Sequence, residues 1–295
     1  MLFSSLLGGS SKSTSSGRSV LLLIELLIWE GNISDVNCTR DLAEIKVPKI
    51  MWFSDSYPVK GYMDYFPFEV AWTKATKPDM VLMAQRSKIK DMEKEVGVPV
   101  YWMPFGGDPI WHYDNKTNEY YDISYCGTIN PNKDHADQKK AALLSKLVRN
   151  GFNIRATISH SAGNRDYAFM YSLDRPTLAE YSKTICMGKI GFNCNIAGDL
   201  TMRTFEIPLM NRPLLSNGGD SYDLIFEDGK DIIIYDEDTI VEWTRTLVGN
   251  KKLREEIAKN GLEKISKSHT YEARIKQIEL LVDNKIDEYE KSLYG

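Results

Sequence analysis

From Lys189 to Ser216 the chain reads as an apolar run, a short polar turn, a helical segment and a second apolar run. Lys189 to Asn193 is the first strand, the helix starts near Thr201, and Pro213 to Ser216 is the second strand. Strand, turn, helix and strand make one βαβ unit, whose two strands run parallel. The turn after the first strand then lies at the carboxyl edge of a parallel sheet, where α/β proteins bind ligands. The helix amino end offers N–H groups and a positive dipole end, which suit a diphosphate. Leu200, Thr201 and Met202 supply those N–H groups. Arg203 adds a guanidinium, which binds phosphate in a bidentate way. Glu206, one turn later, carries a carboxylate that can only accept hydrogen bonds.

The rest of the chain repeats this alternation. Residues 1–18, mostly Ser, Gly and Lys after position 4, read as a flexible tail. Val20 to Trp29, Lys49 to Phe53, Asp79 to Met83 and Val98 to Met103 read as buried strands. A helix within Gly61 to Lys77 is stopped by Pro78, and another over Ser87 to Val96 is closed by Gly97. Pro104 to Asn118, rich in Pro, Gly, Asp and Asn, reads as a linker. A second alternating set follows: a strand at Ile123 to Gly127, a helix over Ala136 to Asn150, a strand at Phe152 to Ile158, a helix over Pro176 to Thr184, the βαβ unit, and a strand over Asp231 to Tyr235. Helices over Asp238 to Val248 and Lys251 to Asn260 are expected to end at Gly249 and Gly261. A last helix, capped by Thr270, carries an apolar stripe at Tyr271, Ile275, Ile278, Val282, Ile286 and Tyr289. The expected fold class is α/β, with two Rossmann-like parallel-sheet domains, the N-terminal one reduced or truncated.

The chain's 295 residues fit about two domains at ~150 residues each. A formal net charge of −4 gives no basic footprint for nucleic acid. Ser19 to Trp29 is apolar but interrupted by Glu25 and shorter than the ~20 residues of a spanning helix, so no transmembrane segment is expected. Arg18 and this run resemble the start of a signal peptide, but no small-residue cleavage site follows. Cys38, Cys126, Cys186 and Cys194 form neither a CxxC pair nor a His/Cys cluster, so no metal is expected. Buried thiols imply a reducing compartment and a cytoplasmic protein.

Several pieces of the second half recur in a fixed order. Arg203-Thr-Phe-Glu206 comes first, then Pro213-Leu-Leu215, then Phe226-Glu-Asp-Gly229, and finally His269-Thr-Tyr-Glu-Ala-Arg274. This set resembles the carboxyl-terminal domain of GT-B glycosyltransferases, in particular the spore-maturation-protein CgeB-like group. That group has an R-x-F-E helix start, a G-x-x-x-x-Y strand region and a closing H-T-Y-x-x-R. The resemblance covers roughly Ser124 to Ile278.

The resemblance implies roles by position. In GT-B enzymes a Glu followed seven residues later by Pro accepts hydrogen bonds from the donor ribose, and Glu206 and Pro213 have that spacing. On its own chemistry Glu206 equally suits a first helical turn, where acidic residues favour the dipole. Arg203 is either a diphosphate ligand or an ion-pair partner of Glu206 at helical spacing. Gly127 and Thr128 sit where the family approaches the phosphates, though a plain strand-end glycine reads the same. His160 occupies a loop that contacts the base in the family, or is a surface histidine. Retaining members often carry another Glu eight residues before the ribose Glu. Here that position is Gly198, and the adjacent Asp199 is the substitute candidate. His269, Thr270 and Arg274 read as structural, tying down the last helix.

In the first half, Asp55 follows a strand's carboxyl end. It is either the base that deprotonates an acceptor hydroxyl or a turn former. Aromatic residues near the linker, among them Tyr101, Trp102 and Trp111, are core or an acceptor-sugar platform. The resulting domain reading is 1–18 tail, 19–110 acceptor-side domain, 111–270 nucleotide-sugar-binding domain, and 271–295 a helix packing back toward the first domain. The function this implies is transfer of a hexosyl-type sugar from a nucleotide sugar to a hydroxyl acceptor: a glycan, a cell-surface polymer or another hydroxyl. The helix start and Arg203 would stabilise the leaving diphosphate without an obligatory metal or cofactor. The rivals are a nucleotide-sugar epimerase of the same architecture and a non-catalytic protein with a degenerate donor site.

Overall fold

The structure is a computed structural model that describes residues 27–30, 40–44, 46–54, 64–129, 135–159, 178–195 and 198–294. Two parallel sheets carry the fold. The first takes β1 (Leu27–Glu30), β2 (Lys49–Phe53), β3 (Met80–Met83) and β4 (Val100–Trp102) in chain order. Every neighbouring pair is parallel. Near-continuous apolar runs such as Ile50-Met-Trp-Phe53 suit strands buried on both faces. Alternation assigns the faces. Met51, Phe53, Val81 and Met83 pack on Val70 and Trp72 of α1 (Phe66–Thr76) and Met92 of α2 (Ile89–Val96). Gly97 ends α2 as expected, in the left-handed region at φ 70°.

The second sheet holds β5 (Tyr121–Thr128), β6 (Ile154–Ser159), β7 (Gly188–Asn193), β8 (Leu214–Ser216) and β9 (Ile233–Ile234), in the order β6-β5-β7-β8-β9. Its helices are α3 (His135–Arg149), α4 (Leu178–Cys186), α5 (Met202–Leu209), α6 (Ile240–Gly249) and α7 (Lys251–Ser268). Ile123, Tyr125, Phe192 and Leu215 pack against α3 and α6. The chain leaves β5 toward β6 and returns to β7 on the other side, so the strand order reverses at the β5/β7 boundary. Outside the carboxyl ends of those two strands a doubly wound sheet opens a crevice.

Two expectations for the helices need correction. α7 does not stop at Asn260 but runs through Gly261 to Ser268. A Cβ at Gly261 would lie 2.9 Å from the Asp231 carbonyl oxygen and 3.3 Å from Pro208 Cβ. The glycine is there because α7 crosses close to α5, not because the helix ends. The final stripe also belongs to two helices, α8 (Tyr271–Val282) and α9 (Ile286–Tyr294). Asn284 takes φ 57° between them, a conformation Asn tolerates. Leu281 therefore enters the core, and Val282, expected in the stripe, is exposed.

α8 and α9 lie against the first sheet. Ile50, Trp52, Leu82 and Trp102 share a core with Ile278, Leu281, Tyr289 and Leu293. Tyr289 Oη donates to the Trp102 carbonyl, and the Tyr294 ring stacks on Trp102 at 5.9 Å. Arg274, 1% exposed, clamps the segment between the sheets. Its Nε donates to the Pro104 and Phe105 carbonyls at 2.9 and 3.1 Å, and Nη1 donates to Gln277 Oε1 at 2.7 Å. Burial pulls the Arg274 pKa down to about 9. Thr270 caps α8 by accepting the Ala273 N–H at 3.2 Å.

Candidate functional site at the strand-order reversal

The site grows from the carboxyl ends of β5, β7 and β8. Thr201 is the N-cap of α5 in a capping box with Thr204. The box is bolted to the strand ends behind it. Asn193 Nδ2 donates to Thr201 Oγ1 at 3.2 Å and to Tyr222 Oη at 3.3 Å. Tyr222 Oη in turn lies 3.1 Å from both Thr204 Oγ1 and Ser216 Oγ. The loop after β7 is locked to the loop after β8 by a reciprocal pair. Asn195 N–H donates to Asn217 Oδ1 at 2.5 Å, and Asn217 Nδ2 donates to the Asn195 carbonyl at 2.7 Å. The helix start is thus held rigidly before any ligand arrives.

The capping box changes which N–H groups face outward. Leu200 N–H donates to Asp199 Oδ1 at 2.7 Å, and Thr201 N–H donates to Thr204 Oγ1 at 3.2 Å. Of the three amides expected to meet a diphosphate, only that of Met202 stays in the group an anion can take. It is joined by the amide of Arg203, the next orphan donor of the first turn.

Arg203 crosses from α5 to the end of β5. Its Nε donates to the Cys126 carbonyl at 2.7 Å, and the guanidinium sits 5.4 Å from the Tyr125 ring centroid. A Cβ on Gly127 would come within 2.4 Å of Arg203 Nη2, so the missing side chain is what admits the guanidinium. Arg203, Gly127 and the start of α5 are therefore brought together, and Thr128 is the last residue of β5. Among the described residues no ion pair joins Arg203 to Glu206.

Glu206 has other partners. It is 8% exposed. Tyr181 Oη, from α4, donates to Oε2 at 2.8 Å. His112 Nε2 lies 3.7 Å from Oε1. Burial holds His112 below its ordinary pKa, against the pull of the Glu206 and Asp108 carboxylates. Burial, and then the Glu206 charge, push Tyr181 well up. Neither His112 nor Tyr181 is visible as a site residue in the sequence. The one signal is a Trp111-His112 pair inside the segment read as a linker, where a solvated connection has no need of it.

Asp199 faces the other sheet. It is 2% exposed, and its Oδ2 accepts the backbone N–H of Arg86 at 2.9 Å. Burial pushes its carboxyl up, while the Arg86 and Leu200 amides and the Ser221 hydroxyl pull it down. Both oxygens are engaged, so the carboxylate joins the two sheets across the crevice. Gly198, the position eight residues before Glu206, takes φ 77°. Asp55 and His160 lie outside the described residues. Among the described residues no three His, Cys, Asp or Glu side chains gather as a metal site would. No helix among them is long and apolar enough to cross a membrane.

Two parallel α/β sheets flanking a crevice, with a helix start at the strand-order reversal, are the fold of GT-B glycosyltransferases. Residues 139–279 match the family described as glycosyl transferase-like. Among solved structures, sucrose-phosphate synthase from Thermosynechococcus elongatus superposes with a TM-score of 0.63 at 10% identity, over 90% of this chain and 74% of its own. HepE from Anabaena, in complex with UDP-glucose, gives 0.59 at 11% identity over 81% of this chain and 73% of its own. S. aureus TarM, in complex with UDP and alpha-GlcNAc-glycerol, gives 0.55 at 14% identity over 77% of this chain. The chain spans 50% of the length of that TarM. No curated protein sequence matches the chain.

Proposed function

We propose that the chain is a glycosyltransferase that takes a sugar from a nucleoside-diphosphate sugar and passes it to a hydroxyl acceptor. The observation that carries this reading is the convergence of Arg203, Gly127 and the first turn of α5 at the β5/β7 crevice, one turn before Glu206. The Arg203 fork and the Met202 and Arg203 amides would take the diphosphate, and the helix dipole would stabilise its charge as it leaves. Glu206 would accept the donor ribose hydroxyls. Asp55, two positions beyond β2, is the proposed base for the acceptor, and His160 the proposed base-contacting residue. Residues 111–270 then form the donor half, and residues 19–110 the acceptor half. The neighbouring structures support a uridine diphosphate donor: HepE is seen with UDP-glucose and TarM with UDP.

A second reading rests on Gly198 and Asp199. With no side chain at the first and a fully engaged carboxylate at the second, the structure offers little to hold the transferred sugar there. That favours a protein that binds a nucleotide sugar without transferring it. Calorimetry with UDP and UDP-sugars, followed by product analysis with and without glycan acceptors, decides. Binding with sugar transfer supports the first reading. Binding without turnover supports the second, an isomerised sugar nucleotide marks an epimerase, and no binding removes all of them.

A further inference from the structure

His112, buried, and Tyr181, partly buried, stand at the site with no part so far in donor binding. His112 belongs to the segment between the sheets, and its ring is fixed by its own turn. Nδ1 accepts the Asp108 N–H at 3.0 Å, while the His112 N–H donates to the Asp108 carbonyl at 2.7 Å. The Asp108 carboxylate accepts the Ile110 N–H at 2.9 Å and closes the same turn. Because Nδ1 is an acceptor, the neutral ring carries its proton on Nε2. That nitrogen faces Glu206 Oε1 at 3.7 Å. From the opposite side Tyr181 Oη donates to Oε2 at 2.8 Å, and its ring meets the His112 ring edge-on at 5.8 Å.

We propose that His112 is a positioning residue for the Glu206 carboxylate. Acting with Tyr181, it fixes the plane of that carboxylate so that its remaining lone pairs meet the two ribose hydroxyls of a nucleoside diphosphate. The inference rests on the donor reading of Glu206. A free carboxylate on a three-torsion side chain samples many orientations, and ordering it on binding costs affinity. Here the Tyr181 hydrogen bond on one oxygen and the His112 ring, with Nε2 3.7 Å from the other, restrict that freedom beforehand. The arrangement also ties donor recognition to the segment joining the sheets, since the ring comes from that segment and not from the donor half's own helices.

The test separates the two nitrogens. His112→Asn places an oxygen where Nδ1 was, keeping the Asp108 bond and removing Nε2. His112→Gln places an amide nitrogen where Nε2 was. The parent is first titrated with UDP, GDP, ADP and CDP, and the tightest is carried forward with its 2′,3′-dideoxy analogue. The parent should favour the ribose form by ~10-fold or more. The Asn variant should bind the ribose form ~10-fold more weakly while binding the dideoxy form like the parent. The Gln variant should recover most of the preference. Tyr181→Phe should lose part of it, and the pair Tyr181→Phe with His112→Asn should cost less than the sum. Undiminished ribose preference in His112→Asn overturns the inference while leaving the donor reading standing. An equal loss of both ligands, alongside a lowered melting temperature in the Asn and Gln variants alike, also overturns it, because that marks a structural histidine. A parent that binds none of the four nucleotides removes the donor reading and the inference with it.

Discussion

The backbone N–H of Arg86 and the carboxylate of Asp199 form a hydrogen bond of 2.9 Å between residues 113 positions apart. It joins the segment after β3 in one sheet to the loop after β7 in the other, so a buried side chain ties the two crevice walls together beside the apolar core they share. Asp199→Asn puts an amide in place of an acceptor on two N–H groups and strands at least one of them. A buried unpaired donor costs ~1–3 kcal/mol. Urea unfolding should show a loss of that size, and an unchanged midpoint would mean the tie contributes nothing.

Removing the Glu206 carboxylate should do two things at once. Donor affinity should fall by ~10–100-fold, about 1.5–3 kcal/mol for hydrogen bonds to a charged acceptor. Stability should also fall, because Glu206→Ala leaves the partly buried Tyr181 hydroxyl without its acceptor. Arg203→Ala should weaken the diphosphate contact similarly. Calorimetry beside melting curves reads both effects, and full affinity in both variants would refute the donor site.

Stability should decline on the acid side through His269. Burial, then Arg274 and Lys264, hold its pKa well below the ordinary histidine value, and Nδ1 accepts from Arg274 Nη2 at 3.0 Å. The unfolded chain binds a proton near pH ~6.5 that the folded chain refuses. The stabilisation is therefore complete above that pH and is lost as pH falls below it, by up to ~1.4 kcal/mol per pH unit. His112, shifted the same way, adds to the slope. His269→Asn keeps an acceptor at the Nδ1 position and removes the titration, so its stability between pH 6.5 and 5, about this window, should fall less steeply than the parent's.

Gly261→Ala sets helix propensity against packing. Alanine favours a helix interior by ~1 kcal/mol over glycine. The new Cβ would meet the Asp231 backbone at 2.9 Å, and backbone cannot swing aside as a flexible side chain does. Overpacking of this kind costs ~1–3 kcal/mol, so a net loss is expected. A higher melting temperature would show that α7 shifts freely over α5.

The strands of both sheets could be read from the sequence because parallel strands buried on both faces leave apolar runs, as at Lys49 to Phe53. The start of α5 could be read because Thr201 is a capping residue placed directly after a strand and turn. Gly261 misled because a glycine after a periodic segment marks a helix end and a close helix crossing alike. The break at Asn284 was invisible because the apolar stripe continues across it at helical spacing. The partners of Glu206 and Asp199 were hidden for a different reason. Tyr181 and Arg86 reach them only through the tertiary fold, with no local pattern to announce it, and His112 is marked only by its place beside Trp111.

The Arg274 clamp dictates an order of events during synthesis. Its carbonyl partners, Pro104 and Phe105, precede it by 170 and 169 residues. At ~5–20 residues per second, a ribosome takes roughly ten to thirty seconds to cover that distance. Through that interval the first sheet has α1 and α2 on one face, while Ile50, Trp52, Leu82 and Trp102 on the other still wait for α8 and α9. That face of the first sheet is therefore covered last, and until then the nascent chain carries apolar surface of the kind a chaperone recognises.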